Sequence, residues 1–160
     1  MKIRVGNGFD VHKLKAGKEI ILCGVKIPFN KQLVGHSDAD VAMHALTDSI
    51  FGALAEGDIG IHFPPTDSQW KGVKSEVFLK KAISLMTEYG FLITNLDITI
   101  ICEGPLISKY ALQMRTKIAL LCKIDLNQVS IKGTTSERLG FTGREEGITA
   151  MATVLLEKNE

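Results

Sequence analysis

One nine-residue stretch with two histidines and two aspartates organises this chain: residues 36–44, His36-Ser37-Asp38-Ala39-Asp40-Val41-Ala42-Met43-His44. An alanine-rich apolar pattern with helical spacing follows, so we predict a helix that is capped by Ser37 or Asp38 and runs to about residue 55. Asp40, His44 and Asp48 are spaced at i, i+4 and i+8, which places them on one face of that helix. A second stripe is expected to be core: Ala42, Ala45, Leu46 and Ile50.

A second polar cluster precedes this stretch, because Asp10 and His12 lie two residues apart in a predicted strand over residues 3–12. Residues at i and i+2 of a strand project from the same face, so both side chains can bind one ion while His44 approaches from the helix. Taken alone, His44 fits a partly exposed, hydrogen-bonded histidine equally well. Two histidines and one carboxylate leave a fourth tetrahedral position open, which is typical of a catalytic zinc. Imidazole also suits iron and manganese, so the ligands alone do not fix the metal.

Five segments resemble a known family, in order along essentially the whole chain. They are residues 8–12 (GFDVH), 36–48 (HSDADVAMHALTD), 57–60 (GDIG), 134–137 (TTSE) and 139–144 (LGFTGR). Segments of this length do not agree by chance, and the chain is identified as similar to the 2-C-methyl-D-erythritol 2,4-cyclodiphosphate synthases.

Length and composition indicate one ordinary globular domain over residues 1–160, with 45% hydrophobic and 23% charged residues and a net charge of +1. That charge provides no general attraction to nucleic acid or to a membrane surface. No apolar run approaches the roughly 18 residues of a transmembrane helix, and no targeting segment is visible. The three widely spaced cysteines, Cys23, Cys102 and Cys122, are expected to be buried thiols of a reducing compartment, so we expect a cytoplasmic protein.

The pattern of elements predicts an α+β fold with a four-stranded mixed sheet and helices packed on one face. The predicted sheet strands are residues 3–12, 95–103, 129–134 and 148–156. Residues 20–28 are predicted to form two short strands that bend at Gly24. Residues 33–35 connect them to the stretch 36–44. The first helix is predicted to run to about residue 55 and to end with Gly57 as its cap. A second helix is predicted over residues 74–89. A third is predicted over residues 108–123, with Leu112, Ile118 and Leu121 facing the core. Residues 57–73 form a long loop, which is usually functional or mobile.

The last predicted strand has apolar residues on both faces, because Met151 and Leu155 lie opposite its core positions. A sheet with helices on one side only should be polar on its other side, so a second covering is indicated. The resemblance implies what that covering is: a homotrimer whose sheets face a central axis, with active sites between neighbouring subunits.

The resemblance further implies conversion of 4-diphosphocytidyl-2-C-methyl-D-erythritol 2-phosphate into the 2,4-cyclodiphosphate and CMP. It assigns zinc to Asp10, His12 and His44, and Mg²⁺ or Mn²⁺ to Glu137 through the substrate phosphates. Asp48, one turn after His44, is either a hydrogen-bonding partner of the zinc ligands or an exposed helix carboxylate, and the spacing fits both equally. His36 and Thr135 match catalytic residues. The residues that match the family's substrate contacts are Asp10, Val11, His12, His36, Ser37, Asp58, Ile59, Gly60, Phe63, Asp67, Cys102, Glu103, Gly104, Pro105, Leu106, Ile107, Ser108, Gly133, Thr134, Thr135, Ser136, Glu137, Phe141 and Arg144.

Two positions depart from the family pattern. Relatives typically carry an aspartate where this chain has Pro65, which calls one polar loop contact into question. They carry a lysine where it has Leu106, so one basic contact to the nucleotide is missing unless Lys109, three residues later, replaces it. Two other functions remain open at this point. A zinc-dependent phosphoester hydrolase would form a linear product and CMP, and a non-catalytic trimer that binds metal or an isoprenoid phosphate would release no CMP.

Overall fold

The computed structural model describes residues 2–159, so Met1 and Glu160, the ends of the predicted domain, lie outside it. Its seven strands are β1 (Ile3–Ala16), β2 (Glu19–Leu22), β3 (Val25–Pro28), β4 (Lys31–Val34), β5 (Phe91–Ile101), β6 (Val129–Thr134) and β7 (Gly147–Lys158). Five of them form one sheet in the order β4-β1-β7-β5-β6, and β2 and β3 form a separate hairpin. Strands β5 and β6 are parallel, whereas the other neighbouring pairs are antiparallel, so the sheet is mixed as predicted.

Five α-helices are present: α1 (Val41–Leu54), α2 (Ile59–His62), α3 (Glu76–Glu88), α4 (Ala111–Cys122) and α5 (Gly140–Gly143). Short 3₁₀ turns occur at Ser68–Trp70, Ile107–Lys109 and Leu126–Gln128. Helix α1 packs across β1 and β7, α3 contacts β5, and α4 contacts β6. The core between helices and sheet is apolar and contiguous, and its fully buried members include Leu46, Ile50, Ile98, Met114 and Val154. The predicted α+β class is confirmed.

The prediction of four strands in the main sheet was wrong, because β4 adds a fifth at the edge. Its residues pair with the end of β1, from Lys13↔Val34 to Ala16↔Lys31, and β1 itself continues four residues beyond its predicted end. Four residues with no clear alternation of polar and apolar side chains carry too little pattern to predict a strand.

The predicted caps of the first helix were also wrong. Asp40 is its N-cap, and its carboxylate accepts the Met43 N–H at 3.0 Å. The Ser37 and Asp38 side chains instead accept N–H groups two residues along the chain, those of Ala39 and Asp40. Asp40 is therefore buried at the start of α1 and does not share the face of His44 and Asp48.

Two smaller predictions about helix geometry need correction. Helix α1 ends through Ala55, whose φ of 63° lies in the left-handed region, two residues before the predicted Gly57 cap. The helix predicted over residues 108–123 begins with a separate 3₁₀ turn and becomes α-helical only at Ala111, so its phase shifts and Leu112 is 62% exposed. Ile118 is buried and Leu121 is partly buried, as expected.

The sheet face opposite the helices is open and partly apolar. Val5, Phe9 and Met151 lie on it with exposed fractions of 64%, 58% and 44%, and Leu155 is half-buried beside them. Between residues 2 and 159, no helix is long and apolar enough to span a bilayer. All three cysteines are free and buried.

Candidate metal centre and substrate pockets

The metal-binding residues are brought together by a close approach of β1 and α1. Asp10 and His12 alternate with exposed residues on the helix-facing side of β1, and His44 lies one turn into α1. Gly6 and Gly8 make this approach possible, because a Cβ on Gly8 would lie 1.9 Å from the Ala45 carbonyl oxygen and one on Gly6 would lie 1.7 Å from that of Ser49. The glycines thus set the distance between the two elements that carry the site.

The three side chains converge as a small triangle of ligand atoms. His44 Nδ1 lies 3.0 Å from Asp10 Oδ2, His12 Nε2 lies 3.1 Å from the same oxygen, and the two nitrogens are 3.0 Å apart. A tetrahedral zinc with bonds of about 2.0–2.1 Å separates its ligand atoms by roughly 3.3 Å. The observed triangle therefore fits one transition metal ion with a fourth position left for another ligand.

The hydrogen bond behind His12 also favours a metal. Its Nδ1 lies 3.0 Å from the Val34 carbonyl oxygen, which can only accept, so Nδ1 carries the hydrogen of a neutral ring. Nε2 then faces the centre and the Asp10 carboxylate, where it either donates a hydrogen to that carboxylate or offers its lone pair to a metal ion. A fixed Nδ1–H behind a ring is the arrangement that orients a metal-binding histidine.

The charges in the site shift the pKa values of these groups in opposite directions. Burial alone would raise the pKa of Asp10, but hydrogen bonds and charge from His12 and His44 outweigh it and hold that pKa well below its usual range. Burial alone would lower the pKa of His12, but the Asp10 carboxylate outweighs it and raises that pKa. An ionised carboxylate beside two imidazoles is the donor set expected for a divalent transition metal.

A cavity of about 470 Å³, which we call the metal pocket, opens beside this triangle. The predicted residues that line it are His12, His36, Ser37, His44, Ile59, Gly60, Phe63 and Asp67. Sequence reasoning expected a functional loop here but missed further lining residues, namely Thr66, Ser68, Trp70, Lys71 and Phe78. Phe63 packs against Trp70 and Phe78, with ring centroids 4.8 and 4.6 Å apart. These aromatic contacts form an apolar wall, and Lys71 adds a positive charge. Pro65 lines the same cavity.

A second cavity, of about 160 Å³, lies between the end of β5 and the end of β6, and we call it the loop pocket. It is lined by Cys102, Glu103, Pro105, Leu106, Ile107, Ser108, Gly133, Thr134 and Thr135, all of which were predicted as substrate contacts. Glu103 Oε1 accepts the backbone N–H groups of Ser136 and Arg138, each at 3.2 Å, and so fixes the loop after β6. The two cavities have no lining residue in common.

Several predicted residues lie outside both cavities. The Val11 side chain is on the open sheet face, because it alternates with Asp10 and His12. Asp58 caps α2 by accepting the Ile61 N–H, and Asp48 accepts the Ile59 N–H at 2.8 Å. The remaining predicted substrate contacts that do not line either cavity are Asp10, which lies in the metal triangle, and Gly104, Ser136, Glu137, Phe141 and Arg144. Their predicted roles stay predictions, as does that of Asp48 towards the metal ligands.

Sequence reasoning also missed Ser75, which is fully buried next to the metal-binding histidine. Its Oγ lies 2.7 Å from His44 Nε2. The predicted helix over residues 74–89 includes Ser75, so in the sequence it looks like an ordinary residue of the first helical turn. No local signal distinguishes such a serine from one that contacts a metal ligand.

The fold and this site define a small α+β protein with a metal centre built from a strand and a helix. The family model of the YgbB family matches residues 3–157, and the chain belongs to that family. It is 55% identical over 156 residues to a 2-C-methyl-D-erythritol 2,4-cyclodiphosphate synthase from Cereibacter sphaeroides, with 98% of both chains covered.

Two further relatives show how far the likeness extends. The chain is 58% identical over 156 residues to the bifunctional enzyme IspD/IspF of Dinoroseobacter shibae, which covers 98% of this chain. It spans 39% of that relative's length. Among solved structures, the CDP complex of IspF from Plasmodium falciparum superposes with a TM-score of 0.88 at 37% identity, over 99% of this chain and 97% of the other.

Proposed function

We propose that this chain converts 4-diphosphocytidyl-2-C-methyl-D-erythritol 2-phosphate into 2-C-methyl-D-erythritol 2,4-cyclodiphosphate and CMP. The reaction belongs to the non-mevalonate route to isoprenoid precursors. One observation carries the proposal: the triangle formed by Asp10, His12 and His44 opens onto a 470 Å³ pocket. Likeness over nearly the full length to proteins named as this synthase supports it. We propose residues 1–160 as the single domain responsible.

In this reaction an oxygen of the 2-phosphate bonds to the β-phosphorus, and the bond from that phosphorus to the bridging oxygen breaks. CMP leaves with the bridging oxygen, so no protein nucleophile is needed. Catalysis of phosphoryl transfer is mostly positioning and neutralisation of charge. Zinc or another divalent transition metal on the triangle would polarise a phosphate oxygen. His36 and Ser37 line the same pocket and offer hydrogen-bond donors to oxygens on which charge develops. Asp58 and Gly60 are the proposed contacts of the erythritol hydroxyls.

The loop pocket is the proposed site of the cytidine and its diphosphate. A relative solved as a CDP complex supports binding of such a nucleotide by this fold. Thr134 and Thr135, exposed at the end of β6, offer hydroxyl groups to phosphate oxygens, with Thr135 in the proposed catalytic role. Glu137 would hold a Mg²⁺ or Mn²⁺ ion that neutralises charge on the substrate phosphates, because these hard cations prefer oxygen ligands.

We further propose that three copies of the chain assemble into a homotrimer around the open sheet face. Val5, Phe9 and Met151 expose apolar side chains there, and large exposed apolar patches mark interaction sites. In the proposed trimer, the metal pocket of one copy and the loop pocket of a neighbouring copy would bind one substrate between them. Light scattering at micromolar concentration is expected to give three times the chain mass, and a stable monomer would refute this assembly.

The cytoplasm is the proposed location. Three free, buried cysteines support a reducing compartment, because disulfides are rare there.

Phosphorus NMR of the product made from the authentic substrate tests the proposed reaction. Cyclic diphosphate and CMP are expected; a linear product with CMP would indicate a hydrolase instead, and absence of CMP would indicate a binding protein. His44→Ala should abolish turnover and bound zinc, because it removes one of three metal ligands. His62→Ala is the matched control, since His62 stacks on Phe51 and bonds the Glu56 carbonyl oxygen. It should retain its zinc, whereas full zinc occupancy and activity in His44→Ala would overturn the assignment.

A further inference from the structure

Ser75 occupies a capping position that it does not use. It is the N-cap residue of α3, yet its side chain accepts no N–H group of that helix. Serine at this position normally has a non-helical backbone and accepts the N–H of the second or third helical residue. The Ser75 backbone is itself helical, and its hydroxyl is turned to His44 Nε2, 2.7 Å away, and to the Asp38 carboxylate. The Ser75 side chain is therefore used for contacts with the metal centre and not for capping.

The direction of these two hydrogen bonds can be worked out from the groups involved. An ionised aspartate offers only acceptors, so the single hydrogen of the Ser75 hydroxyl points to Asp38. The oxygen of Ser75 is then left to accept, and His44 Nε2 must carry the hydrogen. A metal ion held by Nδ1, the atom that faces Asp10 and His12, would use the lone pair of that atom, and the neutral imidazole would then keep its single hydrogen on Nε2.

Neighbouring contacts hold this arrangement in place. Asp38 Oδ1 accepts the Asp40 N–H at 3.3 Å, and the Asp38 N–H donates to the Val73 carbonyl oxygen at 3.2 Å. Ser37 Oγ lies farther from His44 Nε2 than Ser75 does, at 3.1 Å, and is occupied by the Ala39 N–H. Ser75 is thus the nearest partner of His44 Nε2, as the Val34 carbonyl is of His12 Nδ1.

We propose that Ser75, backed by Asp38, is a positioning residue that fixes the tautomer and orientation of His44 for metal binding. The proposal rests on the metal site of the proposed function but not on the reaction that the site performs. Partners behind metal-binding histidines are worth about 10–100-fold in metal affinity. Because Ser75 begins α3 and Asp38 is bonded to Val73, the same contacts attach the wall of the metal pocket to its metal ligand.

Zinc affinity, measured by competition with a chromophoric chelator, separates this role from catalysis. Ser75→Ala is expected to bind zinc about 10–100-fold more weakly than wild type. Ser75→Thr keeps the hydroxyl and should restore most of the affinity. Ser49→Ala is the matched control, because Ser49 is an equally buried serine whose hydroxyl donates to the Leu46 carbonyl oxygen, its one side-chain hydrogen bond among residues 2–159. It should bind zinc like wild type, and melting curves of the metal-free proteins report whether each variant folds.

Histidine NMR provides a second readout that a merely structural role would not move. The chain has four histidines, so their ring nitrogens can be assigned in long-range ¹H–¹⁵N spectra. In the zinc-loaded wild type, the His44 Nε2–H should exchange slowly with water because it is bonded to the buried Ser75 hydroxyl, and Ser75→Ala should exchange it faster. Asp38→Ala removes the acceptor of the Ser75 hydrogen, tests the same relay if Ser75→Ala does not fold, and should weaken zinc binding. Unchanged zinc affinity in the folded variants, or equal exchange of this hydrogen in wild type and Ser75→Ala, would overturn the proposal even if the synthase reaction holds.

Discussion

Gly8→Ala alters the distance between β1 and α1, the two elements that carry all three metal-binding residues. The new Cβ would lie 1.9 Å from the Ala45 carbonyl oxygen and 2.8 Å from the Ser49 nitrogen. Both are backbone atoms of α1, so no side chain can rotate away. Ala45 directly follows His44, and any displacement of this turn carries the histidine with it.

The size of the effect follows from the overlap. Ordinary van der Waals contact begins near 3.4 Å, so the 1.9 Å separation has to open by about 1.5 Å. Overpacking of a core costs about 1–3 kcal/mol, and a clash between backbone atoms belongs at the upper end of that range. Metal–ligand distances tolerate only about ±0.2 Å, so a shift of this size separates His44 from Asp10 and His12. We therefore expect a loss of about 3 kcal/mol in the free energy of unfolding, together with loss of bound zinc.

Urea denaturation and metal analysis of the purified protein measure both effects. Gly52→Ala is the control, since Gly52 lies on the same helix and its added Cβ would be 3.7 Å from the Asn7 carbonyl oxygen. That variant should retain its zinc and gain up to about 1 kcal/mol, because alanine favours helix over glycine. A Gly8→Ala protein with wild-type stability and full zinc would refute the view that this glycine sets the spacing of the site.

Burial raises the pKa of Asp40 from 3.8 to about 6, although three backbone N–H groups donate to it. The folded protein then binds a proton that the unfolded chain has released, so the free energy of unfolding should fall as the pH rises from about 4 to about 6, by on the order of 3 kcal/mol. Urea titrations of wild type and Asp40→Asn measure this, and a constant stability difference between the two proteins across that range would contradict it. Leu106→Lys should tighten CMP binding by less than about tenfold, because Leu106 is 61% exposed and an exposed ion pair contributes about 0–1 kcal/mol. Calorimetry tests this, and a hundredfold gain would mean that the loop pocket is far drier than its exposure indicates.

The sequence was sufficient to predict the elements whose burial is periodic. In α1, the apolar stripe from Ala42 to Ile50 repeats with the helical period, and its residues are buried as expected. In β5 and β7, apolar residues alternate along the strand, and those on the helix-facing side are buried as expected. Strand β4 was not predicted, because it forms by pairing with the edge of β1 and its own four residues show no alternation of polar and apolar side chains. Such pairing between distant segments cannot be read from the sequence of so short a strand.

The metal ligands were predictable for a related reason. The strand period of two places Asp10 and His12 on one face, and the resemblance to the family identified His44 as the ligand that closes on them from the helix. The role of Ser75 was not predictable, because its contact with His44 depends on how the loop of residues 57–73 brings the start of α3 next to α1. A serine at the start of a helix has one common local role, and only the tertiary structure reveals that the hydroxyl serves another.

The stretch 36–44 organises the chain because its polar side chains each attach a different part of the protein to α1. Asp40 accepts N–H groups from Cys23 and Gly24 as well as from Met43, so it fixes the β2–β3 hairpin to the start of the helix. Asp38 instead reaches Ser75 and, through its backbone, Val73. Substitutions at these two aspartates should therefore have different effects. A change at Asp40 should lower the free energy of unfolding, whereas a change at Asp38 should lower the affinity for the metal.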